Sequence, residues 1–265
     1  MVATRAQNPN LPVTVEEIVR TSLECVNLGA SVIHIHARGD DGRPTWKKGV
    51  FARIISGIRE QAEAVIVTVS TSGRNWQEVE KRTECLGLDG GVKPDLASLT
   101  PGSLNFQTQE SINSPAVIRQ LAGTMRERGI KPEIDLFEPG MAQTVKRLME
   151  EGVMEKERPY FNILFGSAGT SPFTSSILAA FQSLLPADAN WGAGGIGRNQ
   201  LPANAAGLAF GGHVRVGLED NLYYDKARNR LASNQMLVER IARIAGEMGL
   251  GIATPADARQ ILGLS

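Results

Sequence analysis

The chain contains three histidines, and two of them, His34 and His36, stand one residue apart in SVIHIHARGD. Around them Val32, Ile33 and Ile35 form an apolar, β-branched run that suits a buried strand. Side chains at i and i+2 of a strand share a face, so His34, His36 and Arg38 project together. Two imidazoles about 7 Å apart at Cα can converge on one metal at about 2.0–2.1 Å. A pair of hydrogen-bonded core histidines is the plainer alternative. An H-x-H placed just before a polar loop favours the metal.

A catalytic zinc takes three protein ligands and keeps one position open. The remaining histidine, His213, begins HVRVGLEDN and so lies at the wrong end of its segment. Towards the other end, strand alternation puts Arg215, Gly217 and Glu219 on one face. Glu219 can then supply the third ligand. Asp220 follows at the change from strand to loop, where a second carboxylate can act as a base. A surface salt-bridge cluster competes with this reading.

Two further strand ends carry hydroxyls. VIVTVSTSGRN ends in Ser70, Thr71, Ser72 and Gly73, and ASLTPGSLNF presents Ser98 and Thr100. Such groups, with backbone N–H, can bind a carboxylate or an oxyanion; an ordinary Ser/Thr-rich turn is the alternative. Gly192-Ala-Gly194-Gly-Ile-Gly197 fits the dinucleotide pattern G-x-G-x-x-G, with acidic residues about 20 positions on. It falls late in the chain rather than at the first strand–helix turn. Gly195, Gly197 and Arg198 read better as a cradle for phosphate or carboxylate at a helix N-terminus.

These residues need elements to position them. Thr14 and Glu17 form a capping box for a first helix that runs to Gly29. Strands are expected near Ser31–Ala37, Val65–Ser70, Asp95–Ser98, Pro132–Phe137, Tyr160–Phe165, Ala189–Ala193 and His213–Gly217. Helices are expected near Lys48–Glu63, Pro115–Gly129, Gly140–Gly152, Thr174–Leu184, Gln200–Phe210 and Gln235–Gly249, with a last one from Pro255. Short apolar strands alternating with helices predict a parallel sheet covered by helices. A closed (β/α)8 barrel needs eight strands, and seven are found. The missing one belongs before Thr14, where only Met1–Thr4 can pair. The chain therefore reads as one TIM barrel domain over residues 1–265 with its first strand short or missing; a doubly wound open sheet is the alternative.

Composition narrows the class. Among 265 residues, 28 Lys and Arg balance 28 Asp and Glu, so the chain lacks the basic excess of a dedicated nucleic-acid binder. No apolar run approaches the roughly 18 residues of a membrane span. MVATRAQNPNLP has no apolar signal core. Cys25 and Cys85 show no metal or redox spacing, which fits a cytoplasmic protein.

NPNLPVTVEEI, GASVIHIHARGDDGRPT, KPDLASLTPGSLNF, PEIDLFEPGM, WGAGGIGRNQLP and GGHVRVGLEDNLYYD together resemble the β-keto acid cleavage enzymes, from about Asn8 to Leu264. The resemblance implies a zinc-bearing barrel, a homotetramer, and a reaction of a β-keto acid with acetyl-CoA that yields acetoacetate and a new acyl-CoA. It implies His34, His36 and Glu219 as zinc ligands and Asp220 as base. It also implies Arg215, Ser70 and Thr100, ahead of Ser98, as groups that hold or polarise substrate. One departure stands out. The family begins with a strand and a T-G-A-like turn that touches the far end of the substrate, and here MVATRAQ stands instead. A zinc hydrolase with an early H-x-H is a second reading, weakened by the shortage of histidines. A barrel that lost catalysis with its first strand is a third.

Overall fold

The computed structural model describes residues 3–106 and 109–264. Helix α1 (Val15–Asn27) starts at the capping box: the Thr14 side chain accepts from the Glu17 N–H, and Glu17 accepts from the Thr14 N–H. It buries Ile18, Ser22 and Cys25. Then follow β1 (Val32–Ile35), α2 (Lys48–Arg59), β2 (Ile66–Val69), the short α3 (Val79–Thr83) and β3 (Leu96–Leu99). A hairpin, β4 (Leu104–Asn105) with β5 (Glu110–Ser111), precedes α4 (Pro115–Glu127). The chain continues through β6 (Lys131–Leu136), α5 (Gly140–Glu150), β7 (Tyr160–Phe165), α6 (Ser175–Leu184), β8 (Asn190–Gly195) and α7 (Gln200–Ala209). It ends with β9 (His213–Val214), α8 (Asn234–Glu247) and α9 (Pro255–Leu262).

Seven strands form one sheet in the order β1-β2-β3-β6-β7-β8-β9, every pair parallel. This is the barrel arrangement less one strand. The alternation of strand and helix leaves both sheet faces covered, which explains why Ile66–Val69 and Tyr160–Phe165 are buried throughout. Outward side chains such as Val67, Ile134, Phe161 and Ile163 pack with Ile54, Ile58, Leu121 and Phe181 of the surrounding helices. Each such burial contributes about 1.5–3 kcal/mol. Inward side chains on the same strands are polar: Thr68, Glu133, Asp135 and Asn162 are all buried. Glu133 on β6 reaches His34 on β1 at 2.8 Å, although two strands lie between them in the sheet. The sheet is therefore curled, with its polar face inside. Ala258 and Leu262 of α9 close the far end against Ile66, Leu96 and Tyr160.

Three local expectations change. The last strand stops at Val214, and Gly217–Asn221 forms a turn in which both Asp220 and Asn221 N–H bond the Gly217 carbonyl. Helix α3 and the hairpin β4–β5 lie before and after β3, in two stretches to which the sequence reading assigns no element. Of the proposed first-strand remnant, Met1 and Val2 lie outside the described residues, and Ala3 and Thr4 form no strand. Ala3 is instead buried with Leu11, Leu218, Ala232 and Leu237, and its carbonyl accepts from Arg38 at 2.7 Å. Among the described residues no helix is long and apolar enough to cross a membrane.

Candidate active site

Strand β1 delivers His34 and His36 to the C-terminal end of the sheet, with ring centroids 5.2 Å apart. Glu219 comes to them from the turn after β9. Its carboxylate lies 2.8 Å from His36 Nε2 and 4.0 Å from His34 Nε2. One ligand atom from each of the three residues falls within 4.8 Å of the others. Glu219 arrives by a turn and not by strand alternation, because the strand has already ended. The same turn makes Arg215 and Glu219 an i, i+4 pair at 2.6 Å and sets Arg215 Nε 3.1 Å from Asp220.

Sequence reasoning missed the groups beneath. Glu133 accepts from Asn162 at 2.7 Å and from Arg215 at 3.2 Å, and it faces His34 Nδ1. A carboxylate at Nδ1 fixes the imidazole tautomer and points Nε2 outward. His34 Nε2 is indeed buried and has no hydrogen-bond partner among the described residues. Asp135 stands 3.5 Å from Arg215. On the opposite side Arg74 donates to Glu219 at 2.7 Å and lies over the Phe106 ring. The signal for the β6 pair was present in PEIDLF: two acids alternating with apolar residues on a strand too buried to leave them in water.

Electrostatics suit a divalent cation. Glu133, Asp135, Glu219 and Asp220 face Arg74 and Arg215, an excess of carboxylates over guanidinium groups. Burial holds His36 well below its ordinary range, which keeps its ring neutral as a ligand must be. Burial also works against a charged His34, but the Glu133 carboxylate outweighs it and raises the pKa. Burial pushes Glu219 up, yet His36 and Arg215 outweigh it and hold it well below the usual carboxylate range. Burial raises Asp220, with Arg215 opposing, and pushes Asp135 up to about 7. An orphaned buried Nε2, a neutral imidazole and a fixed carboxylate are a donor set that fits zinc.

The other expected residues fall around this cluster in different ways. Ser70 follows β2 and lines a small cleft with His36, Trp46 and Trp76; its hydroxyl accepts from the Ser72 N–H at 3.3 Å. Ser98 accepts from the Thr71 N–H at 3.0 Å and so ties β3 to the neighbouring turn. Thr100 follows β3, half-buried. Gly192, Gly194 and Gly195 lie within β8, which explains the dinucleotide-like pattern without a nucleotide. A Cβ on Gly194 would stand 2.7 Å from Leu164, and one on Gly195 2.5 Å from the Asn199 carbonyl. The Gly197 N–H already donates to the Asp220 carbonyl at 2.7 Å. Of the expected cradle, Gly195 serves close packing, Gly197 braces the Asp220 backbone, and Arg198 lies in the short turn before α7. His213 opens β9 at the opposite end from the Glu219 turn, so a histidine-rich hydrolase site does not assemble.

Known proteins resemble this chain over nearly its whole length. The family model described as beta-keto acid cleavage enzyme matches residues 1–264. A 3-keto-5-aminohexanoate cleavage enzyme of Acetoanaerobium sticklandii is 38% identical over 99% of this chain and 94% of its own length. A 3-oxoadipate:acetyl-CoA acetyltransferase of Cupriavidus necator is 36% identical over 98% of this chain and 90% of its own. The solved binary complex of ObcA with oxaloacetate superposes with a TM-score of 0.84 at 20% identity, covering 97% of this chain and 68% of that one. That last likeness is one of fold.

Proposed function

Because the chain belongs to the β-keto acid cleavage enzyme family, we propose that it transfers an acyl group between a β-keto acid and acetyl-CoA, releasing acetoacetate and a new acyl-CoA. The observation that carries this reading is the meeting of His34, His36 and Glu219 with the Arg215–Asp220 pair at one end of the sheet. Catalytic groups of a barrel gather at that end. In this reading the protein acts as one barrel domain, in the cytoplasm and as a homotetramer, on the pattern the family resemblance implies.

His34, His36 and Glu219 would hold zinc, and a bound zinc supplies Lewis acidity toward the keto oxygen. Glu133 keeps His34 in the tautomer that leaves Nε2 for the metal. Asp220 takes the proton from the carbon between the two carbonyl groups. Burial raises its pKa and so makes the ionised carboxylate a stronger base. Arg215 orients the Asp220 carboxylate and offsets the negative charge that develops on the substrate. Ser70 and Thr100 donate hydroxyls to the substrate's carboxylate or to the thioester oxygen. Arg198, beside the glycine turn, meets phosphate of the coenzyme. The deprotonated carbon attacks the acetyl thioester and expels the coenzyme A thiolate; the thiolate adds to the original keto carbon, the bond between the two carbons breaks, and the proton on Asp220 returns to the released carbon, giving acetoacetate and the new acyl-CoA.

Two measurements test this. Protein purified without chelator is expected to carry about one zinc per chain, lost in His34→Ala; metal-free protein from such a preparation overturns the metal assignment. A panel of β-keto acids with acetyl-CoA is expected to give acetoacetate from at least one member. Absence of acetoacetate from every member overturns the reaction.

A further inference from the structure

Beside the candidate ligands stands an arginine that the proposed reaction does not use. Arg74 comes from the loop after β2, and its side chain is largely buried, with 14% exposed. Its guanidinium crosses to the turn after β9 and donates to Glu219 Oε1 at 2.7 Å. That oxygen also faces His36 Nε2 at 2.8 Å, so Arg74 lies against the candidate metal position. Two contacts hold the side chain independently of Glu219. Its Nε donates to the Ser72 hydroxyl at 3.3 Å, and its guanidinium lies 4.7 Å from the centre of the Phe106 ring. The Ser72 N–H in turn donates to the Ser70 hydroxyl at 3.3 Å. A hydroxyl that accepts such a bond keeps its proton to donate. Ser70 and Ser72 both line the small cleft beside His36. Alternate residues of one loop, Ser70, Ser72 and Arg74, thus form a polar rim to the site.

We propose that Arg74 is a specificity-determining residue: its guanidinium takes the carboxylate of the substrate and so admits the β-keto acid as an anion. This inference rests on the β-keto acid reading above. A brace for Glu219 is already present, because Arg215 holds its other oxygen, Oε2, at 2.6 Å. Glu219 Oε1 and His36 Nε2 face one position, and when both turn to a metal there, less of the carboxylate's charge remains for Arg74. The planar fork of a guanidinium matches a carboxylate, and Ser72 and Phe106 keep this fork in place for one.

Charge balance points the same way. Glu133, Asp135, Glu219 and Asp220 carry four formal negative charges around the one positive charge of Arg215. With a divalent cation bound, that group is still negative and repels an incoming anion, strongly so in a buried site. Arg74 supplies the charge that brings the cluster to neutrality. Its contribution is to holding the keto acid, before and during the reaction alike, so its loss acts on KM more than on kcat. Acetyl-CoA does not depend on it.

The test compares wild type, Arg74→Met and Arg74→Lys, each at a zinc concentration that saturates it. Calorimetry measures binding of acetoacetate and of its neutral analogue acetoacetamide, and chelator competition measures zinc affinity. Wild type is expected to bind the acid about tenfold or more tightly than the amide. Arg74→Met loses that preference, and Arg74→Lys, which keeps the charge without the fork, falls between. In turnover, Arg74→Met raises KM for the β-keto acid by about tenfold or more and leaves KM for acetyl-CoA unchanged. A preference retained in Arg74→Met, with zinc affinity lowered, overturns the proposal and makes Arg74 a brace for Glu219. Wild type that binds acid and amide equally, or neither, overturns it as well. Binding is read here without turnover, so the two readings fail separately. An Arg74-dependent preference in a chain that forms no acetoacetate from any β-keto acid upholds the anion site and overturns the reaction.

Discussion

Within the seven-stranded sheet β2, β3, β6, β7 and β8 are each paired on both edges and bury their outward side chains among helices, whereas at the seam β9 contributes two residues and, among the described residues, neither it nor β1 has a strand across the gap. The arc holds itself together by backbone ladders and apolar packing. The seam is bridged by side chains, with His36 against Glu219 at its mouth and Asn8 donating to the Leu222 and Ala232 carbonyls beside it. The candidate metal ligands and the candidate base sit on the seam: His34 and His36 on one lip, Arg215, Glu219 and Asp220 on the other. The arc contributes Glu133 and Asp135, which reach across the interior to steady the lips. Rigid packing and reactive groups are thus segregated, and the polar interior connects them.

Substitutions in the two regions are expected to fail differently. Asp220→Asn at the seam should lower turnover by about 10²–10⁴-fold while metal content is retained; steady-state kinetics with elemental analysis checks this, and full activity removes Asp220 as base. In the arc, Ile163→Ala empties a fully buried position and should cost about 2–5 kcal/mol in denaturant unfolding with the metal ligands intact. Glu133→Gln should reduce metal affinity by about 10–100-fold, because the amide cannot hold His34 as a carboxylate does. A competition titration with a chelator reads that loss, and unchanged affinity would show that His34 is oriented by something else. The smallest effect is expected at Val216→Ala, below about 1.5 kcal/mol, since that side chain borders an existing cavity. A cost at Val216 as large as at Ile163 would erase the distinction between arc and seam.

Much of this was legible from residue order. The capping box at Thr14, the strand–helix alternation and the count of seven strands each rest on local rules, and the structure reproduces them within a few residues. The H-x-H pair was legible because a strand's period places i and i+2 together whatever surrounds it. Glu219 was reached for a reason that does not hold: the strand ends at Val214, and a turn brings the carboxylate in. The glycines of β8 imitated a nucleotide loop because close packing and phosphate approach both require the absence of a Cβ.

By itself, then, the sequence determined the strands of the main sheet and the helices that cover it apart from the short α3, their parallel order, the histidine pair and the shortage of one strand, all of which depend on neighbours along the chain. Tertiary structure alone decided that Glu133 on β6 stands under His34 on β1, that Arg74 reaches Glu219, and that two strand edges face each other across an open gap. Those contacts join residues 99 and 145 positions apart. They arise from how tightly the sheet curls, a property that no local spacing encodes.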